Sequence, residues 1–196
     1  GGPKVPDILR QALAMGADKA VHVGDEGLEE IDEHTTAAIL AKVLADLEYD
    51  LILAGWRAID DGSAQVAGRV AEILGLPMVN MVTKLDVNEG KAVASREIEG
   101  GYEVVEVPLP AVITAQKGLN EPRYPTMKGI MQAKKKPMQK LTVADLGLGG
   151  EEVAPKVRVK KYFLPSPRSQ GKIITGEPAE AAAELVRLLR EEAKVV

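Results

Sequence analysis

The run Asp50-Leu51-Ile52-Leu53-Ala54-Gly55 constrains the fold of this chain more than any other stretch. It is short, apolar and closed by glycine, which suits a strand buried on both faces of a sheet. Helical periodicity flanks it on both sides. Ile39, Leu40, Val43, Leu44 and Leu47 form one stripe of a helix over about 35–47, with Asp32 or His34 near its start. Val66, Val70, Ile73 and Leu74 form the stripe of another over about 64–74, with Gly75 past its end and Pro77 beyond. Upstream, Pro6 suits a first helical turn and Ile8, Leu9, Ala12 and Leu13 keep the helical spacing. Gly16 ends that helix, and Val21-His22-Val23 follows as a short strand. Met78 to Val82 reads as the next strand. Strands alternating with helices imply right-handed βαβ units and a parallel sheet.

The period changes to two between Lys84 and Val107. Asn88-Glu89-Gly90 and Gly100-Gly101 are turn signals, so this part reads as an antiparallel meander. Ala111-Val112-Ile113-Thr114 then returns to the main sheet. Residues 1–150 form the expected α/β domain, with a docking loop over 115–137. Residues 151–196 form an arm, proline-rich through Phe163-Leu164-Pro165-Ser166-Pro167, with a last helix over about 179–193. The chain opens Gly-Gly-Pro without Met and reaches helical material within a few residues, which suggests an upstream piece.

Composition narrows the chemistry. With 25 basic and 29 acidic residues the net charge is -4, which argues against a general nucleic-acid binder. The absence of cysteine excludes disulfides, thiolate-held clusters and a Cys nucleophile. No apolar run reaches the roughly 20 residues of a membrane span, so an integral membrane protein is not expected. His22 and His34 have no neighbouring ligands in sequence, so no metal site is expected. No Ser-His-Asp arrangement can be assembled, and the chain reads as a binding module rather than a catalyst with its own nucleophile.

Three segments can carry a function. The first is GWRAIDDGSAQV, comprising Gly55, Trp56, Arg57, Ala58, Ile59, Asp60, Asp61, Gly62, Ser63, Ala64, Gln65 and Val66. It leaves a strand and opens a helix, where ligands of open α/β sheets bind and where free amides favour an anion. Gly55 and Gly62 let the backbone come close, and Ser63 and Gln65 add polar contacts. The alternative is an ordinary connecting loop with Asp60, Asp61 or Ser63 as helix cap, since neither GxGxxG nor GxxxxGK[ST] is present. The second is the set Arg96, Glu97 and Glu99, either paired carboxylates for proton transfer or plain exposed strand charges. The third is LNEPRYPTMKGIMQAKKKP over 119–137, a proline-bounded basic loop with apolar side chains at its centre. Its candidate contact residues are Leu119, Asn120, Glu121, Pro122, Arg123, Tyr124, Met127, Ile130, Met131, Lys134, Lys135 and Lys136. Methionine repacks easily against different partners, and a cationic rim suits acidic ones. The competing reading is a surface loop with solvated lysines.

These residues resemble one family. Arg96-Glu97-Ile98-Glu99-Gly100-Gly101-Tyr102-Glu103, followed by Pro110-Ala111-Val112-Ile113-Thr114, is similar to the signature of electron transfer flavoprotein beta subunits. LNEPRYPTMKGIMQAKKKP resembles that family's recognition loop, and GWRAIDDGSAQV its adenine-nucleotide loop. ALAMGADKAVHV fits as well, and the resemblance covers nearly the whole chain. It implies a flavodoxin-like α/β sandwich of the adenine-nucleotide-binding kind, paired with an alpha subunit that holds most of the redox FAD. It implies a buried AMP, or a second FAD in bifurcating members, which also use NADH. The implied role is an electron carrier from flavin dehydrogenases such as acyl-CoA dehydrogenases toward a quinone reductase, as in fatty acid oxidation. The implied location is the bacterial cytoplasm or the mitochondrial matrix. By the same resemblance, the 119–137 loop docks the dehydrogenases and Glu97 ion-pairs with the alpha subunit. Met127 stands where many members place a leucine anchor. The family's first strands, which supply nucleotide and flavin-side contacts, are absent from this sequence. An adenine-nucleotide-binding α/β domain without redox role is the alternative of another class.

Overall fold

The computed structural model describes every residue except 25, 27, 29, 169, 170 and 196. The described chain forms two compact units, Gly1–Arg158 and Val159–Val196.

The first unit runs α1 (Val5–Met15), β1 (Ala20–Val23), α2 (Glu33–Ala45), β2 (Leu51–Gly55), α3 (Val66–Leu74), β3 (Met78–Asn88), β4 (Lys91–Ile98), β5 (Gly101–Pro108), β6 (Ala111–Ala115), α4 (Met127–Ala133) and β7 (Met138–Leu141), then two short 3-10 turns. The helix ends follow their sequences. Pro6 sits in the first turn of α1, where its missing N–H costs nothing, and the Gly16 amide bonds back to the last turn. Asp32 caps α2 by accepting from the Thr35 amide at 2.8 Å. Gly75 closes α3 at φ +65°, a left-handed conformation that glycine adopts freely.

The main sheet has five strands in the order β2-β6-β3-β4-β5. β2, β6 and β3 run parallel, and β3, β4 and β5 form the expected antiparallel meander. One strand does both jobs. β3 pairs with β6 through Met78, Val79 and Val82, then turns its register and pairs with β4 from Val82 to Asn88. The shift is made at Met81, whose φ is +59°, and its amide donates to the buried Thr114 hydroxyl at 3.0 Å. Val79, Val82, Ala92, Ala94, Val107, Ala111 and Ile113 make the sheet's core, with Leu119 packed against it. Truncating a fully buried residue such as Ile113 to alanine would cost about 2–5 kcal/mol.

Two expectations need correction. β2 is not buried on both faces: it is an edge strand with β6 as its neighbour, and Leu53 is 61% exposed. β1 pairs instead with β7, as a separate parallel pair. A cavity of about 990 Å³, lined by Val21, Leu44, Leu53, Val66 and Gln139 among others, lies between these pairs. Second, residues 119–137 are not all loop. They contain the helix α4, which packs on α1 and buries Ala133.

The second unit begins as chain without helix or strand, with Tyr162, Phe163 and Leu164 exposed. It ends in α5 (Pro178–Glu191), where Arg187 bridges Glu184 and Glu191 at 2.8 and 2.7 Å. Leu185 and Val186 stay exposed, and no residue of α5 is buried. No described helix is long and apolar enough to cross a membrane.

Candidate nucleotide loop and docking helix

The two segments singled out in the sequence leave the sheet side by side. In the parallel register Gly55 at the end of β2 stands opposite Ala115 at the end of β6. The chain continues from the first into residues 56–65 and from the second into 116–126. Both therefore rise from the carboxyl edge of adjacent parallel strands, where an open sheet offers its crevice to ligands.

The 56–65 loop is open. Ile59 is fully exposed, and Arg57 lies over the half-buried Trp56 ring with its guanidinium carbon 4.2 Å from the centroid. Helix α3 begins at Val66, two residues later than the sequence suggested, and no side chain caps it. The cap expected from Asp60, Asp61 or Ser63 does not form. Asp60 accepts instead from the Asp61 amide at 2.9 Å, and Asp61 from the Ser63 amide at 3.0 Å. Gln65 turns along the helix to take Arg69 at 2.8 and 3.3 Å. The first-turn amides of α3 thus carry no side-chain cap, and they form the positive end of the helix. Two left-handed residues shape the approach to them: Gly62 at φ +65° and Ala64 at φ +54°. The second is costly for a residue with a side chain, and such strain gathers at ligand sites. A Cβ built on Gly62 would meet nothing within 4 Å, so the space above it is free for another molecule. Asp60 and Asp61 are exposed and occupy the Asp61 and Ser63 amides, and Ser63 is half-buried, so the amides left for an anion are the uncapped ones at the start of α3.

The docking segment divides by position. Leu119 belongs to the core of the sheet and is half-buried. Asn120, Glu121, Pro122 and Arg123 are exposed, and Tyr124 is 91% exposed. Thr126 caps α4 by accepting from the Gly129 amide at 3.0 Å. Met127 and Met131 are exposed at 77% and 69%, while Ile130 lines a small cavity with Arg10, Gln11, Ala14 and Pro125. Lys134 and Lys135 are exposed, but Lys136 is half-buried and donates to the carbonyls of Leu13 at 3.1 Å and Ala17 at 2.6 Å. Arg10 of α1 answers it by donating to the carbonyls of Ala133 at 2.6 Å and Lys136 at 3.0 Å. Sequence reasoning missed Arg10 and Gly129. The spacing Met127, Ile130, Met131 was the available sign of a helix there, masked by a glycine and three prolines.

On the meander, Arg96 is held by Glu103 at 2.5 Å and Asn80 at 2.7 Å. Glu97, opposite Tyr102, is exposed and has no ion-pair partner among the described residues. The described residues hold no cluster of His, Asp and Glu suited to a metal.

Comparison with known proteins gives the family of the chain. The family model described as "Electron transfer flavoprotein domain" matches residues 1–146. The chain is 48% identical, over its whole length and 77% of the relative's, to "Electron transfer flavoprotein subunit beta" of Bacillus subtilis (strain 168). It is 44% identical to the same-named subunit of Syntrophomonas wolfei, over its whole length and 74% of the relative's. It is 38% identical, over 97% of its length and 75% of the relative's, to "Caffeyl-CoA reductase-Etf complex subunit CarD" of Acetobacterium woodii. A full-length relationship at this level, with both site segments inside it, places the chain in the family of electron transfer flavoprotein beta subunits.

Proposed function

We propose that this chain pairs with an electron transfer flavoprotein alpha subunit, holds an AMP, and helps carry electrons from flavin dehydrogenases, acyl-CoA dehydrogenases among them, toward a quinone reductase. The observation that carries this reading is the pairing of Gly55 with Ala115. It sets the nucleotide loop and the docking segment on neighbouring strands, so one edge of the sheet serves cofactor and partner together.

The roles divide accordingly. Gly62, Ser63 and the uncapped first-turn amides of α3 would hold the AMP phosphate. FAD, held mainly by the alpha subunit, would supply the redox chemistry, and this chain contributes binding and orientation. Met127 and Met131 would enter an apolar pocket of the dehydrogenase, with Lys134, Lys135 and Arg123 facing its acidic rim. Glu97 would pair with a cation of the alpha subunit. The exposed Tyr162, Phe163 and Leu164 and the unburied leucine face of α5 are apolar surface of a kind that marks protein contact, and the alpha subunit is the partner assigned to them.

Similarity to the Etf-complex subunit CarD favours a second reading. In it, the same loop holds a second FAD in place of AMP and the assembly uses NADH. Acid extraction of the purified heterodimer followed by chromatography separates the two. AMP and FAD in equal amounts support the first reading. Two FAD and no AMP support the second, and a heterodimer that releases no nucleotide overturns both.

A further inference from the structure

α4 has seven residues with Gly129 in its middle, and a helix that short is not stable on its own in water. What holds it is α1. The Gly129 backbone lies so close to the Ala14 carbonyl that any Cβ at this position would collide with it. Two cations then cross between the helices. Arg10 closes the C-terminal end of α4 through the Ala133 and Lys136 carbonyls. Lys136 closes the C-terminal end of α1 through the Leu13 and Ala17 carbonyls. These carbonyls lie at or just past the helix ends, where the dipole favours positive charge; those of Leu13 and Ala133 also accept the Gly16 and Lys136 amides at 3.4 and 3.3 Å. The crossed clamp leaves Met127 and Met131 outward and consumes one lysine of the basic run.

We infer that Arg10, Gly129 and Lys136 are positioning residues for partner docking, a step beyond the docking reading above and resting on it. They touch no partner themselves. They keep α4 folded against α1, so that an incoming dehydrogenase meets its apolar anchor already formed. When the binding-competent form of a protein is only a fraction of the population, apparent affinity falls by that fraction. Loosening the clamp until α4 is formed about one-tenth of the time would therefore raise the apparent KM for the dehydrogenase about tenfold. The limiting rate of electron transfer would not change, because the complex that does form is the same.

The test uses the assembled, cofactor-loaded heterodimer with a dehydrogenase that reduces it. Arg10→Ala, Lys136→Met and Gly129→Ala are compared with the conservative Arg10→Lys and with Met127→Ala. Gly129→Ala alters no charge, and Arg10→Lys keeps a donor, so both are informative if the harsher variants fold poorly. The expected result is a KM raised about tenfold at unchanged limiting rate in the three clamp variants, with partial rescue by Arg10→Lys. Amide hydrogen exchange should quicken across 127–133 and stay unchanged in β6. Unchanged KM in Gly129→Ala, or an effect confined to the charge variants and abolished by salt, overturns the inference in favour of simple steering. A lowered limiting rate overturns it too. If the clamp variants are silent while Met127→Ala raises KM, the clamp is wrong and the docking reading stands. If Met127→Ala is also silent, the docking reading falls and the clamp falls with it.

Discussion

One carboxylate oxygen of Asp32 accepts the Lys156 amide hydrogen at 2.6 Å across 124 residues of sequence. The same oxygen takes the Val157 amide at 3.0 Å, and the other caps α2 through Thr35. The Thr35 hydroxyl lies between Asp32 and the Val153 carbonyl, so a single residue ties the start of α2 to the chain beyond the last 3-10 turn. Partial burial pushes the Asp32 carboxyl up. Hydrogen bonds from the Thr35 and Lys156 amides, the Thr35 hydroxyl and the Val157 amide outweigh it and hold the carboxyl well below the usual carboxylate range. A depressed folded-state pKa adds stability that is fully present above the unfolded value, about 3.9, and is lost as pH falls toward the folded value. Asp32→Ala should therefore cost about 1–2 kcal/mol near neutrality. Denaturant unfolding at a series of pH values checks it: the deficit of the variant should shrink below pH about 4.

The three lysines that end the docking segment should not behave alike. Lys134 and Lys135 are exposed, whereas Lys136 is bonded to α1. Neutralising Lys134 and Lys135 together should slow association with a dehydrogenase at low salt and matter little at high salt, since exposed rim charges act mainly on encounter. Stopped-flow mixing across ionic strength measures this. A salt-independent loss would mean that these side chains make close contacts instead.

Met127 is expected to anchor. Burying a methionine side chain contributes roughly 1.5–3 kcal/mol, and each 1.4 kcal/mol is about tenfold in affinity. Met127→Ala should weaken turnover with a dehydrogenase about tenfold or more and leave the flavin content unchanged. Turnover equal to that of the unaltered protein would leave α4 as a structural element alone.

Gly62 should control nucleotide content. Its φ of +65° is strained for any residue with a side chain and most of all for a β-branched one. A side chain there would also fill the open space above the loop. Gly62→Val should lose AMP on extraction and chromatography while α3 and the sheet remain folded by circular dichroism. Full occupancy in that variant would move the phosphate elsewhere.

Much of this architecture was readable from periodicity. The stripes of α1, α2 and α3, the glycines that close α1 and α3, and the Gly90 and Gly100-Gly101 turns of the meander are local signals with local causes. In sequence β2 looks doubly buried, because Leu51, Ile52 and Leu53 carry no sign of which strand neighbours them; sheet order is a long-range property. α4 was hidden for a related reason. Gly129 and three nearby prolines argue for loop, and what overrides them is contact with Ala14 and Arg10, more than a hundred residues away in sequence. At the nucleotide loop the segment is legible in the sequence, but its conformation is not. Asp60 and Asp61 looked like caps for α3, and they fold back on their own loop because Ala64 and Gly62 turn the chain left-handed before the helix begins.

The central claim, that this chain works as half of a flavin electron carrier, is tested most directly by co-purifying it with its natural partner subunit and recording the visible spectrum. A reduced acyl-CoA dehydrogenase is then added without oxygen. The account predicts flavin absorption bands in the complex and their bleaching by the dehydrogenase. A stable complex without flavin bands, or bands that the reduced dehydrogenase leaves unchanged, would contradict it.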